Sequence, residues 1–271
     1  MYDTCISPQQ VPSVNAVARS ARIRVLVAEH AARRRARVGV LDVCTAAVAA
    51  LPVQGAGVSA MSPTTSSHPL CSTDDISEQL EELQLTLGEG PCVDAFAQGT
   101  AVLAGDLRAN DVLDRWPVFA PAATQAGAGA VFAFPLQVGA ISPGVLDLYA
   151  HHSGDLDPEH LADALVFADT AALVLLGTPL AGPGAPVEPD DDGTPDADPV
   201  DLGGYRAEID QATGMLTEQL GVGIDEAFIR LRAHAYAHER RLADVARDVV
   251  ARTLRFTPES TGNREATRDD T

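Results

Sequence analysis

The spacing of hydrophobic and polar positions changes several times along this chain, and each change marks an element. Residues 1–20 hold polar and Pro-containing patches without a period and read as a loose arm. From about Ala21 to Ala50 the pattern is helical, with Val40, Val43, Cys44, Ala47, Val48 and Leu51 recurring at three and four until Pro52 stops it. Residues 55–61 alternate as a strand, and 69–73 form its hairpin partner. Asp74 or Asp75 caps a helix to about Leu85, with Ile76, Leu80, Leu83 and Leu87 near its apolar face. Gly88-Glu-Gly-Pro-Cys92 breaks the pattern, and a short helix follows Pro91. A short strand over 100–106, a helix from Asp114 to near Gly127, strands over 130–136 and 144–149, and a long apolar helix over 161–176 complete this part. Strands in a central sheet with helices at both chain ends predict an α+β or mixed α/β domain.

Residues 178–203 carry six prolines, seven acids and no base, a composition that buries nothing and whose charge extends it. This acidic, Pro-rich linker divides the chain into a first domain over 21–177 and a second over 204–256, with a disordered tail over 257–271. The second part is helical throughout. Ile209, Ala212, Leu216 and Leu220 share one face, and Gly221-Val-Gly223 ends that helix. A second begins at Asp225 with Phe228, Leu231 and Ala235, and a third carries Leu242, Val245, Ala246, Val249, Val250 and Leu254 as an amphipathic stripe. A bundle this small needs cover, which predicts self-association as a homodimer.

Composition narrows the chemistry. All 19 basic residues are arginine, so Schiff-base chemistry and a P-loop lysine are excluded. A net charge of −19 argues against a protein that coats nucleic acid with its whole surface. The charge is uneven, however: residues 54–177 carry −14, whereas 204–256 are neutral and 226–256 carry +3. Four cysteines (Cys5, Cys44, Cys71, Cys92) without CxxC spacing predict neither a disulfide scaffold nor zinc. His151-His152 with Asp155 and Asp157 reads as a loop, because adjacent histidines at a strand end point to opposite faces. No secretory start is evident, and the longest apolar stretch holds Asp163 and Asp169, so no membrane association and a cytoplasmic location are expected. Neither GxSxG nor HExxH occurs, so no enzyme, catalytic residue, metal or cofactor is expected.

The C-terminal part resembles the ANTAR domain, the RNA-binding output module of bacterial transcription antitermination regulators. Gln211-Ala-Thr-Gly-Met-Leu216, Asp225-Glu-Ala-Phe228, Leu231-Arg232, Ala235, Arg241-Leu242 and Asp244-Val245-Ala246 carry the likeness. Thr213 and Glu239 depart from it, standing where the family usually has lysine and favours asparagine. Residues from about 35 to 177 look like a GAF domain of the type fused to ANTAR domains, through Gly88-Glu-Gly-Pro-Cys92, Asp106-Leu107, Trp116-Pro117, Pro135-Leu136 and Gly144-Val-Leu146. Together the resemblances imply an α+β GAF sensor, a central antiparallel sheet flanked by helices, followed by an all-α three-helix ANTAR bundle. They also imply a function: the GAF domain senses an unknown small-molecule or redox signal and controls binding of structured RNA hairpin loops, antagonising termination. The alternative is a helical dimerisation or protein-docking module that does not bind RNA.

On that basis the RNA-binding candidates are Gln211, Ala212, Gly214, Arg232, Ala235, Tyr236, Arg240 and Arg241. Arginines attract phosphates, and Tyr236, with His234 and His238 nearby, offers rings on which loop bases stack. Ala212, Gly214 and Ala235 serve either close helix packing or close approach of RNA. The sensor candidates are Gly88, Gly90, Cys92 and Phe96, where glycines flank a helix start that closes a pocket over the sheet. A helix start can lower a thiol pKa and so suit Cys92 to a redox or ligand contact; the commoner reading is a small buried cysteine.

Overall fold

The helix expected over 21–50 is two helices, α1 (Val14–Arg34) and α2 (Val40–Ala50), so only residues 1–13 of the expected arm lie outside the described chain. The computed structural model describes residues 14–62, 65–178, 202–238 and 240–257, which fall into two units. The break follows from Arg35, whose φ of 55° ends α1, and from Gly39, which caps α2. Asp42, 1% exposed, accepts the Gly39 N–H at 2.9 Å and takes Arg34 in a two-pronged ion pair at 2.8 and 2.6 Å. Arg34 therefore staples the corner, whereas Arg33 lies on the solvated face with Glu29.

The remaining elements of the first unit are β1 (Gly55–Ser62), β2 (Thr65–Ser72), α3 (Asp75–Leu87), α4 (Pro91–Gln98), β3 (Val102–Ala104), α5 (Asn110–Arg115), α6 (Phe119–Ala126), β4 (Ala130–Val138), β5 (Ile141–Ala150) and α7 (Pro158–Leu175). The helix expected from Asp114 to Gly127 is divided into α5 and α6 around Pro117, whose ring cannot sit inside a continuous helix. The five strands form one antiparallel sheet in the order β2-β1-β5-β4-β3. Side chains alternate across it. Phe132, Phe134, Leu146 and Leu148 are buried on the face where α2 and α7 pack. Val131, Ala133, Val145 and Tyr149 face the other way, into a core with Leu80 of α3, Cys92 of α4, Trp116 and Phe119. α1 is tied to α7 by Arg19 and Arg22, both of which bind Asp163. The apolar stretch containing Asp163 is thus a helix packed on its own sheet, and no helix among the described residues is long and apolar enough to cross a membrane.

The second unit holds α8 (Leu202–Leu220), α9 (Ile224–Ala237) and α10 (Leu242–Val250). Of the expected linker over 178–203, Leu202 and Gly203 belong to α8, and residues 179–201 lie outside the described chain. Gly221, with φ 66°, ends α8 as its sequence suggests. Ile209, Ala212, Leu216, Leu231, Ala235, Leu242, Val245 and Val249 form the bundle core. Leu254 does not extend the stripe of α10: the helix ends at Val250, Arg252 turns back with φ 62°, and Leu254 is only half-buried. Of the expected tail, residues 258–271 lie outside the described chain.

Candidate functional site

Two places concentrate chemistry, one in each unit. In the first unit, α3 turns a polar stripe inward. Ser77, Glu81 and Gln84 are spaced by four and three, so they share one helix face, and all three are buried. The apolar face expected from Ile76, Leu83 and Leu87 lies beside it, partly buried against the core. Opposite, Asp147 interrupts the apolar run of β5 and is 6% exposed. Cys92, in the first turn of α4, is 1% exposed.

These elements converge tightly. Oxygens of Glu81 and Asp147 and the Cys92 sulfur all lie within 4.8 Å of one another. The Ser59 hydroxyl donates to Glu81 Oε2. Gln84 Nε2 donates to Asp147 Oδ2 at 2.8 Å, while Gln84 Oε1 accepts the Cys92 N–H at 2.7 Å. Met61 Sδ lies 3.6 Å from the Cys92 sulfur. Asp147 Oδ1 is buried and has no hydrogen-bond partner. Two glycines make room. A Cβ on Gly57 would sit 2.4 Å from Glu81 Oε1, and one on Gly90, where φ is 133°, would sit 2.7 Å from Gln84 Oε1.

Burial dominates the electrostatics here. It pushes the Glu81 carboxyl well above the usual range, and the charge of Asp147 adds to the rise. It pushes Asp147 up to about 6, against the opposing hydrogen bond from Gln84. It also raises the Cys92 thiol, with Asp147 and Glu81 raising it further. Of the two readings of Cys92, its position matches the small buried cysteine, because burial and two carboxylates outweigh the helix terminus.

The pocket expected over the sheet is nearly closed. A cavity of about 10 Å³ remains among Gly57, Ser77, Glu81, Gln84, Asp147 and Tyr149, room for about one water. The segment expected to close it is pinned. Glu89 Oε1 accepts the N–H groups of Val118 and Phe119 at 2.8 and 2.7 Å, and Asp94 accepts from Trp116 Nε1 at 3.1 Å and Arg115 Nε at 2.7 Å. Gly88 is an exposed left-handed cap of α3, and Phe96 packs half-buried against the core. Cys71 meets Cys44: their sulfurs are 3.3 Å apart, and contact with Cys71 followed by burial raises the Cys44 thiol.

In the second unit the predicted residues divide by burial. Ala212 and Ala235 are fully buried, so of their two readings the packing one matches their position, and their side chains offer no solvent-facing surface. Thr213 is also buried and donates to the Ile209 carbonyl at 2.7 Å. Gln211 and Gly214 line a groove of about 440 Å³ with Glu218, Gln219, Arg252 and Arg255. Arg232 is half-buried over the Phe228 ring at 5.6 Å. Tyr236 is 56% exposed on α9. Arg240 and Arg241 are exposed at the turn into α10, with Arg240 bonded to Asp248 at 2.8 Å. His234 stacks on His238 at 3.9 Å and leans on Phe256, whose N–H bonds to Gln219 at the groove. Arg252, Arg255 and Phe256 are additions to the predicted set. They follow the last helix, and only the turn of the chain at Arg252 brings them beside α8.

A profile of the GAF domain matches residues 27–175, and one of the ANTAR domain matches 205–250. The chain belongs to the GAF family, with an ANTAR domain following. Among solved structures it is similar to the GAF domain of a phosphoenolpyruvate-protein phosphotransferase from Coxiella burnetii, at 15% identity and TM-score 0.45, covering 60% of this chain and 95% of that one. The corresponding domain from Acinetobacter is similar at 12% identity and TM-score 0.44, covering 61% and 96%. A free methionine-R-sulfoxide reductase from Thermoplasma acidophilum is similar at 14% identity and TM-score 0.37, covering 59% and 96%. No curated protein matches the chain.

Proposed function

We propose that this chain is a cytoplasmic, homodimeric, non-enzymatic regulator in which the GAF domain receives a signal and controls an ANTAR bundle that binds RNA hairpin loops and antagonises transcription termination. The observation that carries the reading is the exposure of Tyr236, Arg240 and Arg241 around the last turn of a bundle that matches the ANTAR domain. An exposed ring four and five residues before two exposed arginines suits a splayed base and its phosphate. The Arg240–Asp248 pair is no obstacle, since an exposed pair contributes little and yields to a stronger anion. The groove holding Gln211, Gly214, Arg252 and Arg255 extends the surface that RNA would meet.

A second reading, a dimerisation or docking module without RNA, rests on Ile229 and Tyr236, which are exposed two turns apart on α9. Selection from a random RNA pool by the full chain separates the two. Enrichment of paired small hairpin loops supports the first, and a pool that stays unstructured and unenriched leaves the second.

A further inference from the structure

We propose that Glu81, Asp147 and Cys92 form a binding site for one divalent transition-metal ion inside the GAF domain. No two of the three share a sequence motif. The fold brings one donor each from α3, β5 and α4 to within 4.8 Å of one another.

Four observations point to a cation. First, two carboxyl groups and a thiol, all three buried, are gathered within 4.8 Å of one another from separate elements. Packing three acidic groups this closely in a buried site requires that they keep protons, and a divalent ion can take the place of those protons. Second, Asp147 Oδ1 is buried within the cluster with no partner outside it: besides Gln84, which holds the other oxygen, only the acidic protons of Glu81 and Cys92 reach Asp147, and an ion would displace these. Third, the surroundings orient the donors as outer partners of a metal site do: Ser59 fixes Glu81, and Gln84 fixes both Asp147 and the backbone of Cys92. Fourth, the adjoining cavity of about 10 Å³ admits a single small species and no organic ligand.

The distances suit an ion after a small contraction. Three donors no more than 4.8 Å apart surround a centre that each reaches by moving inward by at most roughly 0.5–0.8 Å, given metal–oxygen bonds of about 2.0–2.2 Å and metal–thiolate bonds of about 2.3 Å. The donor set also selects among ions. Two carboxylates with a thiolate, and the Met61 thioether beside it, suit zinc, ferrous iron or cobalt. Calcium and magnesium require a fuller set of oxygens than this cluster supplies. Binding releases to solvent the protons that burial holds on the Cys92 thiol and the Glu81 carboxyl. The site concerns the GAF unit alone and stands whether or not the second unit binds RNA.

The test uses the full chain, stripped of metal by a chelator under anaerobic, reducing conditions and titrated with Co²⁺. One equivalent binds and produces the near-ultraviolet absorption of a cobalt–thiolate bond. Cys92→Ser abolishes that absorption, and Cys71→Ser keeps it. Glu81→Gln, which preserves shape and the Ser59 contact, weakens binding by at least about tenfold and keeps the proposal testable should the cysteine variant fail to fold. Absence of cobalt–thiolate absorption in the unmodified chain overturns the proposal. So does absorption that survives Cys92→Ser or depends on Cys71, or equal affinity in Glu81→Gln.

Discussion

Gln84 is the residue on which the buried polar cluster depends, and replacing it with leucine tests that role. The side chain is 2% exposed, donates to Asp147 at 2.8 Å and accepts the Cys92 N–H at 2.7 Å. Leucine fills a similar volume, so the cost is polar. Losing a hydrogen bond to a buried carboxylate costs about 1.5–3 kcal/mol, and leaving a buried N–H unsatisfied costs about 1–3 kcal/mol. The two losses share neighbours and do not add fully, so about 3 kcal/mol is expected. For a domain of this size that lowers Tm by roughly 6–12 °C. Urea unfolding of the metal-free chain, followed by the fluorescence of Trp116, measures it. This is the only tryptophan, it is buried in the GAF core, and Asp94 holds its indole N–H. The double variant Gln84→Leu, Asp147→Leu should fall short of the summed single losses by at least about 1 kcal/mol, because it removes the orphaned carboxylate as well. A single-variant loss below about 1 kcal/mol would refute the reasoning.

Other consequences follow from the same geometry. Gly90→Ala combines a backbone at φ 133° with a Cβ 2.7 Å from Gln84 Oε1, and should lose more than about 3 kcal/mol, whereas Gly88→Ala, left-handed but exposed, should lose about 1 kcal/mol; thermal unfolding compares them. Glu89→Ala frees the N–H groups of Val118 and Phe119 at the start of α6 and should cost about 1–2 kcal/mol by urea midpoint. Burial, then the charges of His238 and Arg240, lowers the His234 pKa below 6.5. The unfolded chain then binds the proton first, so the bundle loses stability as pH falls below about 6.5; His234→Gln should flatten that slope in unfolding curves measured by circular dichroism.

Much of the architecture was legible from spacing alone. The five strands were each foreseen, though β2 begins at Thr65 rather than 69 and β3 is only Val102–Ala104; Asp74, one of two cap candidates, caps α3, and Pro91 and Gly221 start α4 and end α8 as their signals suggest. The misreadings have local causes. A continuous apolar period hid the corner at Arg35–Gly39, which depends on Asp42 and Arg34 meeting across it. Pro117 divided a helix whose flanks both read as helical. On α3, large residues at Ile76, Leu83 and Leu87 drew attention from the stripe of Ser77, Glu81 and Gln84 that is buried. A signal for that stripe was present, since polar residues at i, i+4 and i+7 share a face with Leu80 and Asp147 breaks the apolar run of β5. What makes the cluster a site is its convergence from three elements, and pairing and packing decide that. In the second unit, spacing could not tell the buried Ala212 and Ala235 from surface positions, because a small residue serves both.

The central claim, that the second domain binds RNA, is tested most directly by the affinity of the full chain for an RNA carrying two small hairpin loops, measured at two salt concentrations. The account predicts binding that weakens as salt rises. Joint replacement of Arg240 and Arg241 by alanine should weaken binding across sequences and reduce the salt slope by roughly 0.7 for each single-strand phosphate no longer neutralised. Tyr236→Ala should cost on the order of 1–3 kcal/mol with little change in slope. Undetectable affinity of the unmodified chain at low salt would contradict the account.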